Sequence, residues 1–447
     1  MSPTAKSLGL WACTALVVGN MVGSGVFALP ASLAPFGGIA LGGWLVTSAG
    51  SIALALVFGR LARLVPATGG PYAYTRAGFG DFAGFLVAWG YWITLWSGNA
   101  AVAVALSGYL AYFLPVLREQ PFAGLAAAIG AIWLVTWINV RGVKEAGLFQ
   151  VVTTILKLVP LLLTATVGLA FVTPSHFVPL NTSHLGTFGA LAACSAQTLW
   201  AFLGLESATV PAGEVQRPEI TIPRATVLGT TFAALLYILV TVAVFGAVPL
   251  GELAHSTAPL ADAAERVFGG WAGSFVALGA VVSTIGTLNG FTMLSGQVPL
   301  GAARDRVFPP RFGDVSPQGT PAFALIASNL LASVLVTLNF TKGTGAAFTF
   351  ITLLATLAAL VPYAFCALAE LMLFIRDPSG YRGGPHLGRT VTLAAVAFLY
   401  ALGAIYGAGP EVVFYGFLLL LAGVPVFVWV RWRTLGRELA VAPQPGA

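Results

Sequence analysis

The chain has 447 residues, of which 58% are hydrophobic and only 8% are charged, with a net charge of +6. A soluble domain carries about 25% charged residues, so this composition excludes a protein whose main solvent is water. The positions of the basic residues matter more than their sum, and no nucleic-acid partner is expected. The composition indicates a protein that lies in a lipid bilayer.

Apolar runs long enough to cross a membrane recur along the whole chain. A transmembrane helix needs about 20 mostly apolar residues, which rise roughly 1.5 Å each across about 30 Å of hydrocarbon. Connectors such as VPATGGP (65–71) and DPSGYRGGP (377–385) carry the residues that end helices. The pattern predicts an all-α polytopic membrane protein with twelve transmembrane helices, at residues 9–32, 37–63, 82–115, 122–140, 146–171, 190–212, 224–247, 273–303, 321–339, 346–375, 391–408 and 411–433.

The basic residues between the predicted spans are unevenly divided between the two sides of the membrane. With twelve spans both termini share one side, which has seventeen lysines and arginines against three on the other. The positive-inside rule therefore predicts that both termini are cytoplasmic. The seventeen are Lys6, Arg60, Arg63, Arg76, Arg141, Lys144, Arg217, Arg224, Arg304, Arg306, Arg311, Arg376, Arg382, Arg389, Arg431, Arg433 and Arg437. The three are Arg118, Arg266 and Lys342.

Two of the predicted spans are interrupted by glycine and polar residues. The first span contains VGSG (22–25) and the sixth contains AFLGLES (201–207), at corresponding positions if spans 1–5 and 6–10 are two repeats. Because five spans is an odd number, the second repeat must be inverted. Such paired interruptions are typical of a transporter whose site lies near the bilayer midplane. We expect one transporter domain of 1–447, in which two inverted repeats and two additional spans occupy 9–171, 190–375 and 391–433.

The interruption of the first span has a physical cost that a ligand would explain. A glycine inside a helix costs about 1 kcal/mol relative to alanine, and backbone groups freed by a break cannot face lipid. An unwound stretch at 22–25 would offer amide N–H groups and the Ser24 hydroxyl to an anion. Carbonyls freed before the break would favour a cation, so an α-amino acid would satisfy both ends. A glycine-rich face for close helix packing is the alternative explanation.

Several motifs occur in an order and at spacings typical of one family. They are LGLWACTALVVGNMVGSGVFALPASLAPFGGIALGGW (8–44), GGPYAYTRAGFG (69–80), YWITLWSGN (91–99), LWAFLGLESATVPAGEVQRPEITIPRAT (199–226), TLNGFTMLSGQ (287–297) and LVPY (360–363). With these motifs nearly the whole chain resembles the bacterial arginine/agmatine, lysine/cadaverine and ornithine/putrescine antiporters of the amino acid–polyamine–organocation superfamily. The resemblance implies a five-plus-five inverted repeat with discontinuous helices 1 and 6, two further helices, a cytoplasmic (inner) membrane location and often a homodimer.

The resemblance also implies which residues contact the substrate. Ser24 and the Gly25 amide would hold the carboxylate, and Phe291 would stack on the side chain where the arginine exchanger has a tryptophan. The carbonyls that would hold the α-amino group are those of Met21, Trp200 and Leu203. The side-chain pocket would be formed by Thr94, Leu95, Asn99 and Ala355. A gate layer on the cytoplasmic side of the site would consist of Tyr91, Glu206 and Tyr363.

Two of these residues depart from the pattern of the arginine exchanger. Phe291 replaces the stacking tryptophan, and Ala355 replaces a serine of the side-chain pocket. Both changes remove polar or π character that suits a guanidinium. They argue against specificity for arginine and leave a smaller or more neutral substrate open.

Two ionisable residues lie within predicted spans, and such residues are functional hypotheses by default. Glu206 follows the interruption of span 6, and Lys157 lies in the middle of span 5. A lysine at this place resembles the proton-coupled members of the superfamily, whereas polyamine-type exchangers usually have an apolar residue. We therefore expect both residues to take part in proton coupling, with a static strut as the alternative for Lys157. Glu370, near the cytoplasmic end of span 10, is expected to reach the headgroups.

The sequence favours a secondary transporter of amino acids or related amines that works by alternating access, most simply as an exchanger (antiporter). A proton-coupled symporter that depends on Lys157 is the first alternative, and a channel is the second. An enzyme is not expected, because the spans lack a paired nucleophile and base, a carboxylate dyad or a histidine-rich motif. The four histidines lie in connectors without metal-ligand spacing, so neither a metal nor a cofactor is expected. The expected partners are the substrate, protons, the bilayer and a second copy of the chain.

Overall fold

The structure, a computed structural model, describes residues 8–66, 69–142, 144–210, 212, 215–340, 343–378 and 387–441. Within these residues the only extended pairing is one bridge, between Leu8 and Val215. The α-helices are α1 (Leu10–Met21), α2 (Ser24–Leu33), α3 (Ala40–Leu64), α4 (Pro71–Phe79), α5 (Asp81–Phe113), α6 (Val116–Glu119), α7 (Pro121–Arg141), α8 (Lys144–Thr166), α9 (Thr187–Leu199), α10 (Pro218–Ala247), α11 (Leu250–Leu253), α12 (Pro259–Phe268), α13 (Gly270–Arg304), α14 (Ala322–Phe340), α15 (Thr344–Arg376), α16 (Leu387–Gly407), α17 (Pro410–Leu421) and α18 (Gly423–Val441).

Most of these helices have the length and composition of membrane spans. The described residues include eight such stretches, namely Leu10–Leu64, Asp81–Phe113, Pro121–Arg141, Pro218–Ala247, Gly270–Arg304, Gly345–Arg376, Leu387–Gly407 and Pro410–Thr434. Two shorter apolar helices are Ile155–Phe171 and Ala322–Leu338. The prediction of an all-α polytopic membrane protein is confirmed at this level.

The boundaries differ from the predicted ones where the backbone leaves the α-helix. Predicted span 6 (190–212) is continuous only as α9, after which Trp200–Phe202 and Ser207–Thr209 form short 3-10 turns. Predicted span 12 (411–433) is divided between α17 and α18. Of the basic residues used to orient the chain, Lys6, Lys342 and Arg382 lie outside the described residues, as do the side chains of Lys144 and Arg437.

The ends of several helices meet through charged side chains on one side of the bundle. Arg76 in α4 pairs with Asp81 at 2.9 Å and with Asp305 at 2.9 Å, and Arg431 in α18 also pairs with Asp81, at 3.1 Å. The Tyr72 hydroxyl donates to Asp305 at 2.8 Å. Burial, followed by the hydrogen bond to Asp305, raises the pKa of the Tyr72 phenol, so it remains a donor at neutral pH. These contacts join segments that were predicted to share the terminal side.

The centre of the bundle is α5, which is buried along nearly its whole length. It packs against α13 and α15, while α1 packs against α10 and α3 packs against α9 and α10. The interrupted segments around α1–α2 and α9 thus lie among helices and away from lipid. Buried surroundings of this kind are what non-helical backbone requires inside a membrane.

Glu370, near the end of α15, forms a buried ion pair. Its side chain, which was expected to reach the headgroups, is 4% exposed and accepts two hydrogen bonds from the Arg60 guanidinium, each 2.7 Å long. Arg60 also donates to the Thr390 hydroxyl at 2.6 Å. The fork of an arginine matches a carboxylate in this bidentate way. The pair therefore links α3, α15 and α16 near one end of the bundle.

We predict that Glu370→Ala will destabilise the protein, because it leaves the Arg60 charge largely buried without its partner. Breaking a buried pair from one side costs about 3 kcal/mol or more. Thermal unfolding of the purified protein in detergent measures the change. Asp314→Ala, which removes an exposed carboxylate from a loop, is the matched control and should leave the melting temperature unchanged. A wild-type melting temperature for Glu370→Ala would contradict the prediction.

Candidate functional site

The first interruption lies between α1 and α2 and is shorter than predicted. Helix α1 ends at Met21 and α2 begins at Ser24, so only Val22 and Gly23 leave the helix, with φ/ψ of −75°/92° and −137°/−145°. A Cβ on Gly23 would lie 2.6 Å from Oγ1 of Thr287 in α13, which explains the glycine. The amides of Ser24 and Gly25 now belong to the first turn of α2, where helix geometry provides no intrahelical acceptor. They are suited to bind an anion.

The second interruption follows α9. The chain passes from Leu199 through the 3-10 turn Trp200–Phe202 to Gly204, whose φ of +103° is one that side chains other than glycine rarely adopt. The Trp200 carbonyl, which was predicted to hold a substrate amine, accepts a bond from the Leu203 amide at 3.3 Å and keeps one lone pair. The predicted break at 201–207 is therefore present, and it begins one residue earlier.

The two interruptions contact each other. The Asn20 side chain donates to the Ser207 hydroxyl at 2.8 Å, and the Trp200 indole donates to the Ser24 hydroxyl at 3.2 Å. A Cβ on Gly25 would lie 2.9 Å from the Cα of Ala201, so the backbones approach more closely than a side chain would allow. The structure thus brings Ser24, Gly25 and Trp200 together, as a shared substrate site requires.

The aromatic residues of the predicted site are in direct contact. The rings of Trp200 and Phe291 meet edge to face, with centroids 6.1 Å apart and planes at 85°. Gly98 in α5 faces the same pair, because a Cβ there would lie 2.8 Å from the Phe291 ring. No substrate side chain fits between the two rings in this arrangement. Stacking on Phe291 therefore requires the ring pair to open.

The predicted side-chain pocket consists of buried residues, one of which has an unsatisfied acceptor. Asn99 donates to Thr292 at 3.2 Å and to the Asn329 carbonyl at 2.9 Å, while its own Oδ1 has no partner among the described residues. Thr94 donates to a carbonyl of its own helix. Leu95 and Ala355 are buried and apolar. Sequence reasoning missed Thr292 and Asn329, although Thr292 directly follows the predicted Phe291.

The predicted gate residues form one cluster. Tyr91 from α5 donates to one carboxylate oxygen of Glu206, and Tyr363 from α15 donates to the other at 2.7 Å. All three side chains are buried, and Phe58 packs edge to face on Tyr363. The carboxylate therefore ties the second interruption to two neighbouring helices.

Lys157 is fully buried and contacts the first interruption. Its Nζ donates to the carbonyl of Gly19 in the last turn of α1. In a continuous helix that carbonyl would accept the amide of the residue four positions on, which is Gly23 at the break. The lysine thus replaces a backbone hydrogen bond that the interruption removes. When protonated, the lysine would also place a positive charge at the negative end of the α1 dipole.

Nothing in the described part of the chain suggests a metal centre, since no three histidine, cysteine or acidic side chains come together there. The site consists instead of backbone amides and carbonyls, aromatic rings and two buried ionisable groups. Such a set suits a small organic ligand with both an anionic and a cationic group.

The chain belongs to the amino acid permease family, whose model matches residues 8–428. It is 36% identical over 380 residues to the cadaverine/lysine antiporter of Escherichia coli, and the aligned region covers 83% of this chain and 84% of that protein. It is 33% identical over 438 residues to the arginine/ornithine antiporter of Pseudomonas aeruginosa, covering 95% and 91%. It is 30% identical over 437 residues to a putrescine transporter of Haemophilus influenzae, covering 97% and 99%. The resemblance read from the motifs is confirmed at the level of the family.

We predict that Gly25→Ala will lower both stability and substrate transport. The Cβ of the alanine would clash with the backbone of the second interruption, which cannot relieve the clash by a side-chain rotation. We expect transport in proteoliposomes to fall at least about tenfold, since small displacements in a site cost rate steeply. The melting temperature should fall with it.

Gly130→Ala in α7 is the matched control, because a Cβ there meets open space. It should keep full transport and gain about 0.5–1 kcal/mol of stability from improved helix propensity. Wild-type transport by Gly25→Ala would show that the two interruptions do not need their close approach.

Proposed function

We propose that this protein exchanges a cationic amino acid for a related amine across a cytoplasmic membrane by alternating access. The observation that carries the proposal is the pair of facing helix interruptions, with Ser24 and Gly25 at the start of one half-helix. The relatives support it, because each is described as an antiporter or transporter of lysine, arginine, ornithine, cadaverine or putrescine. All of these substrates carry an amine or guanidinium at the end of an aliphatic chain.

The proposed architecture is twelve spans in two inverted repeats, 9–171 and 190–375, followed by two additional spans at 391–433. The eight long stretches and two shorter apolar helices support this count, because Leu10–Leu64 contains two spans and α9 begins another. The surplus of basic residues on the terminal side supports an inner-membrane protein with both termini cytoplasmic. A homodimer and the bilayer remain proposed partners.

In the proposed site the substrate's carboxylate binds the Ser24 hydroxyl and the Gly25 amide. Its α-amino group binds carbonyls near the two interruptions, those of Met21, Trp200 and Leu203. The aliphatic chain lies along Phe291 once that ring leaves Trp200. The unsatisfied Oδ1 of Asn99 supports a distal cation, because a buried acceptor without a partner costs free energy that an ammonium would recover. Thr94, Leu95 and Ala355 complete the pocket.

The proposed gate is the cluster of Tyr91, Glu206 and Tyr363. Its two phenolic hydrogen bonds fix the second interruption to α5 and α15. Opening toward that side must break at least one of them. Protonation of Glu206 would remove the charge that both phenols stabilise and would favour the open state, which makes this residue a proposed site of proton linkage.

Lys157 supports the second candidate function, proton-coupled symport. Its bond to the Gly19 carbonyl couples the charge on the lysine to the position of the first interruption. If the lysine binds a proton in one state and releases it in the other, uptake is driven by the proton gradient. If it keeps its proton throughout, it is a strut and the protein is a pure exchanger.

We predict that uptake of labelled lysine, ornithine or arginine into proteoliposomes will saturate and will require an unlabelled amino acid or diamine inside. Ser24→Ala should raise the KM by about tenfold, because a hydrogen bond to a charged carboxylate is lost. The matched control is Ser48→Ala in α3, a buried serine whose hydroxyl has no partner in the described structure. Ser48→Ala should leave the KM unchanged.

The same assay separates the classes of function. Saturable uptake into empty vesicles under a pH gradient would indicate the symporter, and non-saturating flux independent of internal substrate would indicate a channel. Preference for small neutral amino acids over lysine and ornithine would contradict the proposed cationic substrate while leaving exchange intact.

We predict that Glu206→Gln will flatten the pH dependence of exchange while substrate binding persists, because glutamine retains hydrogen-bonding groups for both tyrosines but does not titrate. If the wild type accumulates substrate under a pH gradient, as the symporter alternative requires, Lys157→Met should abolish that accumulation while exchange persists, because methionine fills the volume of the lysine but carries no proton. Lys157→Ala should behave in the same way with an added cavity. Full accumulation by Lys157→Met under an imposed pH gradient would refute the coupling role of Lys157. An unchanged pH profile of exchange in Glu206→Gln would show that the proton-linked group is not Glu206.

A further inference from the structure

The bundle contains a cavity whose lining residues include none of the proposed substrate-site residues. It has a volume of about 450 Å³ and lies between α3, α10 and α16, near the end where Arg60 and Glu370 pair. One part of its wall is basic, with Arg60, Arg63 and Arg389. Another part is apolar and includes Leu56, Val227 and Val396.

The cavity wall carries an excess of positive charge. Arg60 is engaged by Glu370, but Arg63 and Arg389 are exposed and form no ion pair within the described ranges of the chain. No acidic side chain is part of the wall. Two arginines on separate helices thus point to a shared anion, and the planar guanidinium is well suited to the oxygens of a phosphate.

The basic and apolar parts of the cavity wall lie at the depths expected for the headgroup and the acyl chain of a phospholipid. Arg63 lies in the last turn of α3 and Arg389 in the first turn of α16, so both are near a membrane surface. Leu56 and Val396 are each seven residues further into the same helices, which corresponds to roughly 10 Å. The basic part is therefore at headgroup level and the apolar part at the level of the first acyl carbons. A soluble anion would leave that apolar wall unused.

We propose that this cavity binds an anionic phospholipid, with the headgroup phosphate between Arg63 and Arg389 and one acyl chain along Leu56, Val227 and Val396. Basic pockets between transmembrane helices bind anionic headgroups in this manner. The lipid joins α16 to α3 and α10, next to the Arg60–Glu370 pair. The site is independent of the substrate and of the direction of exchange.

The test measures lipid retention by native mass spectrometry on protein purified from nanodiscs that contain phosphatidylglycerol and phosphatidylcholine. The wild type should retain phosphatidylglycerol preferentially. Arg63→Gln combined with Arg389→Gln should weaken that binding by about ten- to thirtyfold. The matched control combines Arg304→Gln and Arg311→Gln, which removes two exposed arginines elsewhere in the chain and should retain the lipid as the wild type does.

A second variant keeps the proposal falsifiable if the double variant folds poorly. Val396→Trp leaves every arginine in place and fills the apolar part of the cavity from an exposed position, so it should also reduce phosphatidylglycerol binding. Equal retention of phosphatidylglycerol by both cavity variants and the wild type would overturn the proposal. Equal binding of phosphatidylcholine would overturn it as well. Displacement of the lipid by millimolar inorganic phosphate would assign the arginines to a soluble anion instead.

Discussion

Backbone polar groups inside a membrane need partners, and this requirement organises the centre of the molecule. Two helices are interrupted there, and each interruption removes backbone hydrogen bonds that lipid cannot replace. The protein supplies substitutes from neighbouring helices. Lys157 donates to the Gly19 carbonyl, and the Tyr237 hydroxyl donates to the Ala201 carbonyl at 3.0 Å. The amides of Ser24 and Gly25, at the start of α2, remain suited to an incoming carboxylate. The proposed substrate site is thus made from part of what the fold leaves unsatisfied.

The glycines of the first interruption allow close packing, and the same geometry forms the proposed substrate site. Close helix packing and backbone binding of a ligand were treated as competing explanations of the VGSG motif. In the structure Gly23 allows the first interruption to approach α13, and Gly25 allows it to approach Ala201 in the second interruption. The same approach brings Ser24 within hydrogen-bonding distance of Trp200. Close packing is therefore compatible with the proposed site, because the same contacts assemble its residues.

Composition and local pattern were sufficient to predict the membrane class and the positions of both interruptions, and the resemblance of several motifs to known antiporters indicated the family. These features are encoded in adjacent residues, such as the serine and glycines that follow a long apolar run. Contacts between distant residues were not predictable in the same way. Glu370 is paired with Arg60, 310 positions away, and the partner of Asn99 in α14 is 230 positions away. The sequence of a single span gives no information about which neighbouring helix supplies the partner of a buried charge such as that of Glu370.

The two buried ionisable groups are placed so that each acts on one interruption. Lys157 holds the carbonyl end of α1, and Glu206 follows the 3-10 turn after α9 and is held by two tyrosines. Neither half-helix can move without changing the surroundings of one of these groups. A ligand or a proton shifts a conformational equilibrium only as far as it interacts differently with the two states. The proposed carboxylate site lies where the two interruptions that Lys157 and Glu206 hold contact each other. In the proposed function, substrate binding and protonation would therefore act on the same pair of segments, and coupling between them would need no further element.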